Sequence, residues 1–197
     1  MDDGSTDSTK KEVLSVANKS NKVRFYDRKK EGHKKGLANS MIDGLSLTKT
    51  KYAIFMDGDM QHPTETIKKI YLRLRKGDKI VIATREKIYN TIAYRQAISY
   101  VFSALGIMAL KMQGSATSND IFSGYFGLES NFARKKIEEN RKRFIGEGYK
   151  FLFDLLKSTR MNEVPISEID YRFKTRTHGS SKASIKQGTA LILSFIT

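Results

Sequence analysis

The chain has 197 residues, 39% of them apolar, which is enough for one domain with a hydrophobic core. It contains no cysteine, so disulfides and thiolate metal sites are excluded, and a reducing compartment fits. Its formal net charge of +15 predicts a polyanionic partner, which would be nucleic acid, an anionic lipid surface or a phosphorylated substrate.

Short apolar runs alternate with helical patterns over the first half of the chain. Asp7 or Ser5 is a candidate N-cap for a first helix. Leu37, Met41 and Leu45 form an apolar stripe at fourfold spacing, which is typical of a helix. We predict helices over residues 6–18, 35–47 and 63–75, and strands over 23–26, 52–56 and 80–84. This alternation favours an α/β fold with a mainly parallel sheet and helices on its faces.

The second half contains an apolar segment, 97–110, that is shorter than the roughly 20 residues of a membrane-spanning helix. Two interpretations of it stay open, a core helix and a helix lying at a membrane interface. Further along, we predict a strand over 121–128, a helix over 148–157, and strand and loop over 164–173. We assign residues 1–184 to one domain and interpret the apolar tail, 185–197, as the start of a membrane-associated helix.

Two carboxylates at D-x-D spacing, Asp57 and Asp59, follow the predicted strand 52–56. Such a pair can converge on one hard cation, Mg²⁺ or Mn²⁺, which prefers oxygen ligands and bridges diphosphate oxygens. Open α/β sheets bind their ligands at this end of the strands. A polar turn would give the same triplet, but the Gln61–Pro63 segment directly behind it strengthens the cation interpretation.

A second acidic pair, Asp2 and Asp3, opens the chain and is followed by Gly4 and Ser5. These carboxylates can accept hydrogen bonds from a nucleobase edge and from ribose hydroxyls. The alternative is a turn that caps the next helix. Because a doubly wound fold usually opens with a complete buried strand, we expect the first strand to be missing or truncated here.

Together these motifs resemble the family 2 glycosyltransferases, and most closely their dolichyl-phosphate mannosyltransferase branch. The matching stretches are DDGSTDST at 2–9, GHKKGLANSMIDGL at 32–45, YAIFMDGDMQHP at 52–63, IVIATRE at 80–86, YRQAIS at 94–99, NDIFSGYFGLES at 119–130, GYKFLFDLL at 148–156 and RTHGSSK at 176–182. They follow the family's order over nearly the whole chain, which makes the set far more specific than any single motif.

The resemblance implies a GT-A fold, a Rossmann-like α/β domain that binds a nucleotide sugar. The implied donor-binding residues are Asp2, Asp3, Ser5, Lys35 and Asp57. The implied ligands of Mg²⁺ or Mn²⁺ are Asp57, Asp59 and Gln61. The implied acceptor-binding residues are Arg95, Ser99, Lys150, Arg176, Ser181 and Lys182. The expected catalytic residues are Asp57, Asp59, Arg85 and Arg95.

The implied reaction is an inverting transfer of a sugar, mannose from GDP-mannose, to dolichyl phosphate or a related polyprenyl phosphate. That acceptor is largely dianionic at pH 7, so it needs no strong general base, although Asp57 and Asp120 are candidate helpers. We expect a peripheral location at the cytoplasmic membrane face, with anionic lipid attracting the basic chain and no nucleic-acid partner. Two alternatives stay open: a family 2 enzyme that uses UDP-glucose or another donor, and a catalytically impaired fragment that retains only the fold.

Overall fold

The computed structural model of the chain describes residues 1–86, 93–144 and 150–172, with the backbone alone for 93–99. Its helices are α1 (Thr9–Ala17), α2 (Leu37–Leu47), α3 (Glu65–Arg75), α4 (Ala93–Met112), α5 (Ser130–Glu139) and α6 (Phe151–Lys157). Its strands are β1 (Tyr52–Phe55), β2 (Ile80–Arg85), β3 (Phe126–Glu129) and β4 (Ile166–Tyr171). The described part of the chain therefore has the mixed α/β architecture that the alternating pattern predicts.

The four strands form one mixed sheet in the order β1-β3-β2-β4. Strand β3 is antiparallel to both β1 and β2, and β2 is parallel to β4. Strands β1, β2 and β4 consequently run in the same direction, and their carboxyl ends meet at one edge of the sheet. The residues that follow these three strands are brought together at that edge.

Alternating side chains of β2 pack into two different layers of the core. Ile80 and Ile82 join the larger cluster, which lies against α2, α5 and α6. Val81 and Ala83 point to the other face and pack with Ile70 of α3. All four of these β2 side chains are fully buried, so β2 lies at the centre of the fold.

Helix α3 lies very close to the sheet because Gly127 of β3 has no side chain. A Cβ at this position would lie 2.3 Å from Ile70 Cγ2 and 2.9 Å from Leu74 Cδ1. Ile70 and Leu74 are both buried, so neither side chain has space to move away. The glycine in this strand thus sets the distance between α3 and the sheet.

The N-terminal helix begins at Thr9 rather than at Thr6. The Asp7 carboxylate accepts a hydrogen bond from the Thr9 amide at 3.0 Å, as a capping residue does. Ser5 instead donates its hydroxyl hydrogen to the Asp2 carboxylate. The N-cap itself is Ser8, so neither predicted N-cap is correct, although Asp7 stabilises the helix start from one residue earlier.

The strand predicted over 23–26 is wrong. The chain makes only an isolated parallel bridge here, between Asp2 and Asp27. The Asp2 amide donates to Tyr26 O and the Arg28 amide donates to Asp2 O, both at 2.9 Å. Beyond this point the chain turns at Gly4, whose φ is +89°, so the pairing does not extend into a ladder.

Strand β3 begins later than the strand predicted over 121–128. Ser123, in the loop before it, donates its hydroxyl hydrogen to Ala83 O at 2.7 Å.

Helix α5 follows the strand directly and was not predicted. Its first turn is stabilised by Glu129, whose carboxylate accepts the Phe132 amide at 3.0 Å.

Helix α4 extends the predicted apolar segment at both ends and exposes an apolar face. Val101, Leu105, Met108 and Met112 recur every three or four residues and are between 44% and 80% exposed. Leu110 is fully buried in the core. Within the described ranges, no helix is both long and apolar enough to cross a bilayer.

Candidate functional site

Asp57 and Asp59 lie in the turn that follows β1, at the sheet edge where β1, β2 and β4 end. The Asp59 carboxylate accepts the Gln61 amide at 3.1 Å, and Met60 adopts a left-handed φ of +64°. The Asp57 side chain is 34% exposed, so it is accessible to a ligand from solvent.

The backbone of Gly124 makes room for the Asp57 carboxylate. A Cβ at residue 124 would lie 2.7 Å from Asp57 Oδ2 and 3.2 Å from Asp57 Cγ. Gly124 precedes β3, and β3 pairs with β1 along the whole length of both strands. The absence of a side chain at Gly124 therefore matters for the position of Asp57.

A buried histidine connects Asp57 to the end of β4. His62 Nε2 lies 3.5 Å from Asp57 Oδ2, and His62 Nδ1 lies 2.9 Å from the Tyr171 hydroxyl oxygen. Burial raises the pKa of Tyr171, and the negative charges of Asp120 and Asp57 add to this effect, while Arg85 opposes it. Since the Tyr171 hydroxyl stays protonated at neutral pH, it can donate a hydrogen bond to His62 Nδ1.

Aromatic rings surround this histidine. The His62 ring lies 4.9 Å from the ring of Tyr125 and 5.6 Å from that of Tyr171, measured between centroids. The Tyr125 hydroxyl donates to Pro63 O at 2.9 Å, which holds the turn after Asp59 against the loop before β3. Sequence analysis noted His62 only as part of a motif and missed both tyrosines, although Tyr171 lies at the end of a predicted strand.

Arg85 is the last residue of β2, and Asp120 holds its guanidinium. Arg85 Nε lies 2.9 Å from Asp120 Oδ2, and Arg85 Nη2 lies 3.1 Å from Asp120 Oδ1. Both oxygens of Asp120 accept from this fork, and its side chain is only 12% exposed. These contacts show that Asp120 positions the Arg85 guanidinium. They do not test the prediction that Asp120 helps by accepting a proton.

The Asp2 carboxylate serves the local backbone. It accepts the amides of Gly4 and Ser5 at 2.9 and 3.0 Å, and the Ser5 hydroxyl as well. Burial alone would raise the pKa of Asp2, but these hydrogen bonds together lower it. Asp2 is thus ionised at neutral pH and shapes the loop in which Asp3 lies.

The Asp3 carboxylate joins two distant parts of the chain. It accepts the Gly36 amide at 2.9 Å and forms an ion pair with Arg28. Lys35, another of the predicted donor-binding residues, is exposed in the loop directly before Gly36. Sequence analysis overlooked Arg28 because a lone arginine in a basic chain carries no pattern.

Of the predicted acceptor-binding residues, Lys150 alone has a described side chain. Its Nζ lies 3.8 Å from Asp154 Oδ2, and its side chain is 12% exposed. Arg95 and Ser99 lie in the first part of α4, residues 93–99, for which the structure describes only the backbone. Outside the described residues lie Arg176, Ser181, Lys182 and the tail, 185–197.

The oxygens of Asp57, Asp59 and Gln61 fit a hard divalent cation. Magnesium sites commonly use one or two carboxylates and take further ligands from substrate phosphates. In the described ranges, no three His, Cys, Asp or Glu side chains gather as a metal site. The Asp57 side chain is partly exposed and so accessible to a cation from solvent.

Comparison with known proteins identifies the family of the chain. Residues 1–143 match the sequence model of Glycosyl transferase family 2. The chain belongs to glycosyltransferase family 2. The family predicted from the motifs is thereby confirmed.

The chain is similar to dolichol-phosphate mannosyltransferases across most of its length. It is 32% identical to that of Saccharomyces cerevisiae, over 94% of this chain and 68% of the relative. It is 30% identical to that of Pyrococcus furiosus, over 92% of this chain and 49% of the relative. The chain therefore spans between about half and two thirds of the length of these relatives.

The fold is similar to that of glucosyl-3-phosphoglycerate synthase from Mycobacterium tuberculosis. A crystal structure of that enzyme with Mn²⁺, UDP-glucose and phosphoglyceric acid superposes with a TM-score of 0.64 at 13% identity. The match covers 99% of this chain and 65% of that one. At this identity the likeness concerns the fold, and it confirms the predicted GT-A architecture.

Proposed function

We propose that this glycosyltransferase moves mannose from GDP-mannose to dolichyl phosphate or a related polyprenyl phosphate, with inversion and with Mg²⁺ or Mn²⁺. The names of the relatives from Saccharomyces cerevisiae and Pyrococcus furiosus, dolichol-phosphate mannosyltransferases, support mannose as the sugar and a polyprenyl phosphate as the acceptor class. The observation that carries the proposal is the position of Asp57, with His62, Tyr171 and Gly124 around it at the sheet edge.

In this proposal the two acidic pairs bind different parts of the donor. Asp2 and Asp3 receive the nucleoside, because their partly occupied carboxylate oxygens retain lone pairs for base or ribose donors. Asp57, Asp59 and Gln61 would hold the divalent cation. When bound, that cation stabilises the negative charge that develops on the leaving nucleoside diphosphate.

Arg85 contributes a second positive charge at the same edge. Asp120 fixes its guanidinium in a two-point contact, so little side-chain freedom is lost when a phosphate arrives. The acceptor dianion attacks the anomeric carbon from the face opposite the diphosphate, which inverts the configuration. It brings its own nucleophilic oxygen, so Asp120 need not take a proton.

The exposed face of α4 supports a lipid acceptor. Its exposed apolar side chains, Val101, Leu105, Met108 and Met112, offer a surface along which a lipid chain can lie. We propose that Arg95 and Ser99, earlier in the same helix, bind the acceptor phosphate. The chain would then work peripherally at an anionic membrane surface.

Transfer assays test the proposal. Purified chain, MnCl₂ and labelled GDP-mannose or UDP-glucose are incubated with dolichyl phosphate in detergent or with water-soluble 3-phosphoglycerate. We expect label to enter the lipid fraction from GDP-mannose, to be lost with EDTA and to return with added Mn²⁺. Vesicle flotation with and without anionic lipid measures the membrane contact.

Asp59→Ala is the decisive variant. We expect transfer to fall about 100-fold or more, with little change in Tm because Asp59 lies in a solvent-accessible turn. Near-normal transfer by this variant would contradict the metal site. Transfer from UDP-glucose, or to 3-phosphoglycerate alone, would replace the proposed substrates, and nucleotide binding without any transfer would identify an impaired fragment.

A further inference from the structure

The most deeply buried charged side chain in the described ranges lies outside the sheet edge. Arg28 is 1% exposed, and it lies between the opening loop and helix α2. A buried guanidinium costs several kcal/mol in desolvation unless opposite charges and acceptors surround it. The hydrogen-bond partners of Arg28 therefore show which parts of the chain it connects.

Arg28 donates to four different groups. Nη1 contacts the Asp3 carboxylate and lies 2.8 Å from Ser40 Oγ. Nε lies 2.8 Å from Asp43 Oδ2, and Nη2 lies 2.5 Å from Lys34 O. The planar fork of arginine makes these contacts in fixed directions, which an ammonium group could not reproduce.

These contacts fix the backbone on both sides of Lys35. The carbonyl of Lys34 accepts from Arg28, and the amide of Gly36 donates to Asp3. Gly36 has a φ of +137°, which favours glycine, and it is the N-cap of α2. Arg28 thus links the Asp3 carboxylate to the loop that presents the exposed Lys35 side chain.

The ion pair leaves part of Asp3 accessible. Each carboxylate oxygen has two lone pairs, and Oδ1 and Oδ2 each accept one described hydrogen bond. The Asp3 side chain is 27% exposed while that of Arg28 is 1% exposed, so a ligand can reach the carboxylate but not the guanidinium. This geometry is expected of a residue that orients a binding group and does not itself touch the ligand.

We propose that Arg28 is a positioning residue of the donor site, which holds Asp3 and the Lys34–Gly36 loop ready for the nucleoside diphosphate. The inference rests on the proposed function, because it takes Asp3 and Lys35 as donor contacts. Without the guanidinium, the loop and the carboxylate would have to be ordered at the moment of binding, which lowers affinity.

Arg28→Lys tests the inference, with Arg134→Lys as its matched control. Arg134 donates to Leu45 O and Thr48 O, both at 2.9 Å, and so secures the opposite end of α2. Calorimetric titration with GDP and with UDP, each with MnCl₂, gives the affinity of the two variants. We expect Arg28→Lys to weaken nucleotide binding about tenfold and Arg134→Lys to change it less than about twofold, even though both lower Tm.

A double-mutant cycle with Asp3→Asn separates positioning from general destabilisation. If Arg28 acts through Asp3, the two substitutions together weaken binding by clearly less than the product of their single effects. Kinetics should show a raised donor KM with a much smaller change in kcat. Should Arg28→Lys fail to melt cooperatively, Ser40→Ala replaces it, with Ser46→Ala as control, since Ser46 bonds only Asp43 O in the described contacts.

The outcomes are distinguishable. Unchanged nucleotide affinity in Arg28→Lys, or in Ser40→Ala if that variant is used, together with a lowered Tm, would show a structural role and overturn the inference. Independent, multiplicative effects of Arg28→Lys and Asp3→Asn would overturn it too. Failure of the unchanged chain to bind either nucleotide would instead overturn the proposed function.

Discussion

The N-terminal region, residues 1–47, and the sheet region, residues 52–171, hold their aspartates by different means. Asp3 is oriented by a polar network around the buried charge of Arg28, and α1 in this region has no buried residue. Asp57 is held where strand ends meet, by the space at Gly124 and by a histidine among aromatic rings. The first site depends on matched charges, and the second on shape.

Buried charge has different surroundings in the two regions. Arg28 has a hydrogen-bond acceptor in each of four directions. Asp154, in α6 of the sheet region, is 2% exposed, and its Oδ2 lacks a hydrogen-bond partner. A buried charge therefore organises one region through hydrogen bonds, whereas in the other a buried carboxyl lies near cationic side chains with one oxygen left without a hydrogen bond.

Among the substitutions that test this difference between the two regions, the largest effect is expected from the shape of the Asp57 site. Gly124→Ala places a Cβ 2.7 Å from Asp57 Oδ2, and the carboxylate, being partly exposed, should swing away. We expect transfer to fall about 10- to 100-fold, with weaker Mn²⁺-dependent nucleotide binding and nearly unchanged Tm.

Gly127→Ala is the matched control for this substitution. Its Cβ would collide with Ile70 and Leu74 in the core, 2.3 and 2.9 Å away. Overpacking of this kind should lower stability by about 1–3 kcal/mol in urea unfolding and leave the kinetics of the folded fraction unchanged. The interpretation fails if the two alanine variants show the same pattern.

A smaller effect is expected where the histidine joins the strand ends. Tyr171→Phe keeps the ring but removes the hydroxyl that lies 2.9 Å from His62 Nδ1, so the imidazole is less firmly held against Asp57. We expect kcat to fall about 3- to 10-fold. Tyr125→Phe, which loses the hydroxyl that donates to Pro63 O, should change stability and leave kcat within about twofold. Equal kcat values for the two variants would show that His62 does not position Asp57.

The smallest effect on activity, with a clear effect on stability, is expected at Asp154. Burial raises its pKa to about 7, against the opposing charges of Lys150, Lys157 and Arg143. Because the pKa is higher in the folded state than in the unfolded state, the stability contributed by protonated Asp154 is complete below about pH 4. It is lost as the pH rises through about 7.

Asp154→Asn should therefore gain stability relative to the unchanged chain between pH 5 and pH 8, by about 2–4 kcal/mol in urea unfolding. Glu163→Gln is the control of opposite sign. The hydrogen bond from Lys136 lowers the pKa of Glu163, so its contribution is present above the ordinary carboxyl pKa and is lost only as the pH falls further. A pH-independent difference for Asp154→Asn would show that this carboxylate is ionised and well solvated in the fold.

The sequence by itself determined the family, the α/β class and most helix positions. The stripe of Leu37, Met41 and Leu45 and the motif at Asp57 are local patterns, which can be recognised from the sequence alone. The same kind of local pattern gave a wrong strand prediction at 23–26. An apolar run becomes a strand only where another segment pairs with it over several residues, and here the pairing is a single bridge.

Only the tertiary structure decided which side chains support the two aspartates. Arg28 lies 25 residues from Asp3, and Tyr171 lies 109 residues from His62. Neither residue carries a motif, and each is identified only by what it contacts. Hydrogen-bond direction and the space at a missing Cβ depend on atoms brought together across the chain, so they were settled by packing, whereas periodicity and motif spacing were already present in the sequence.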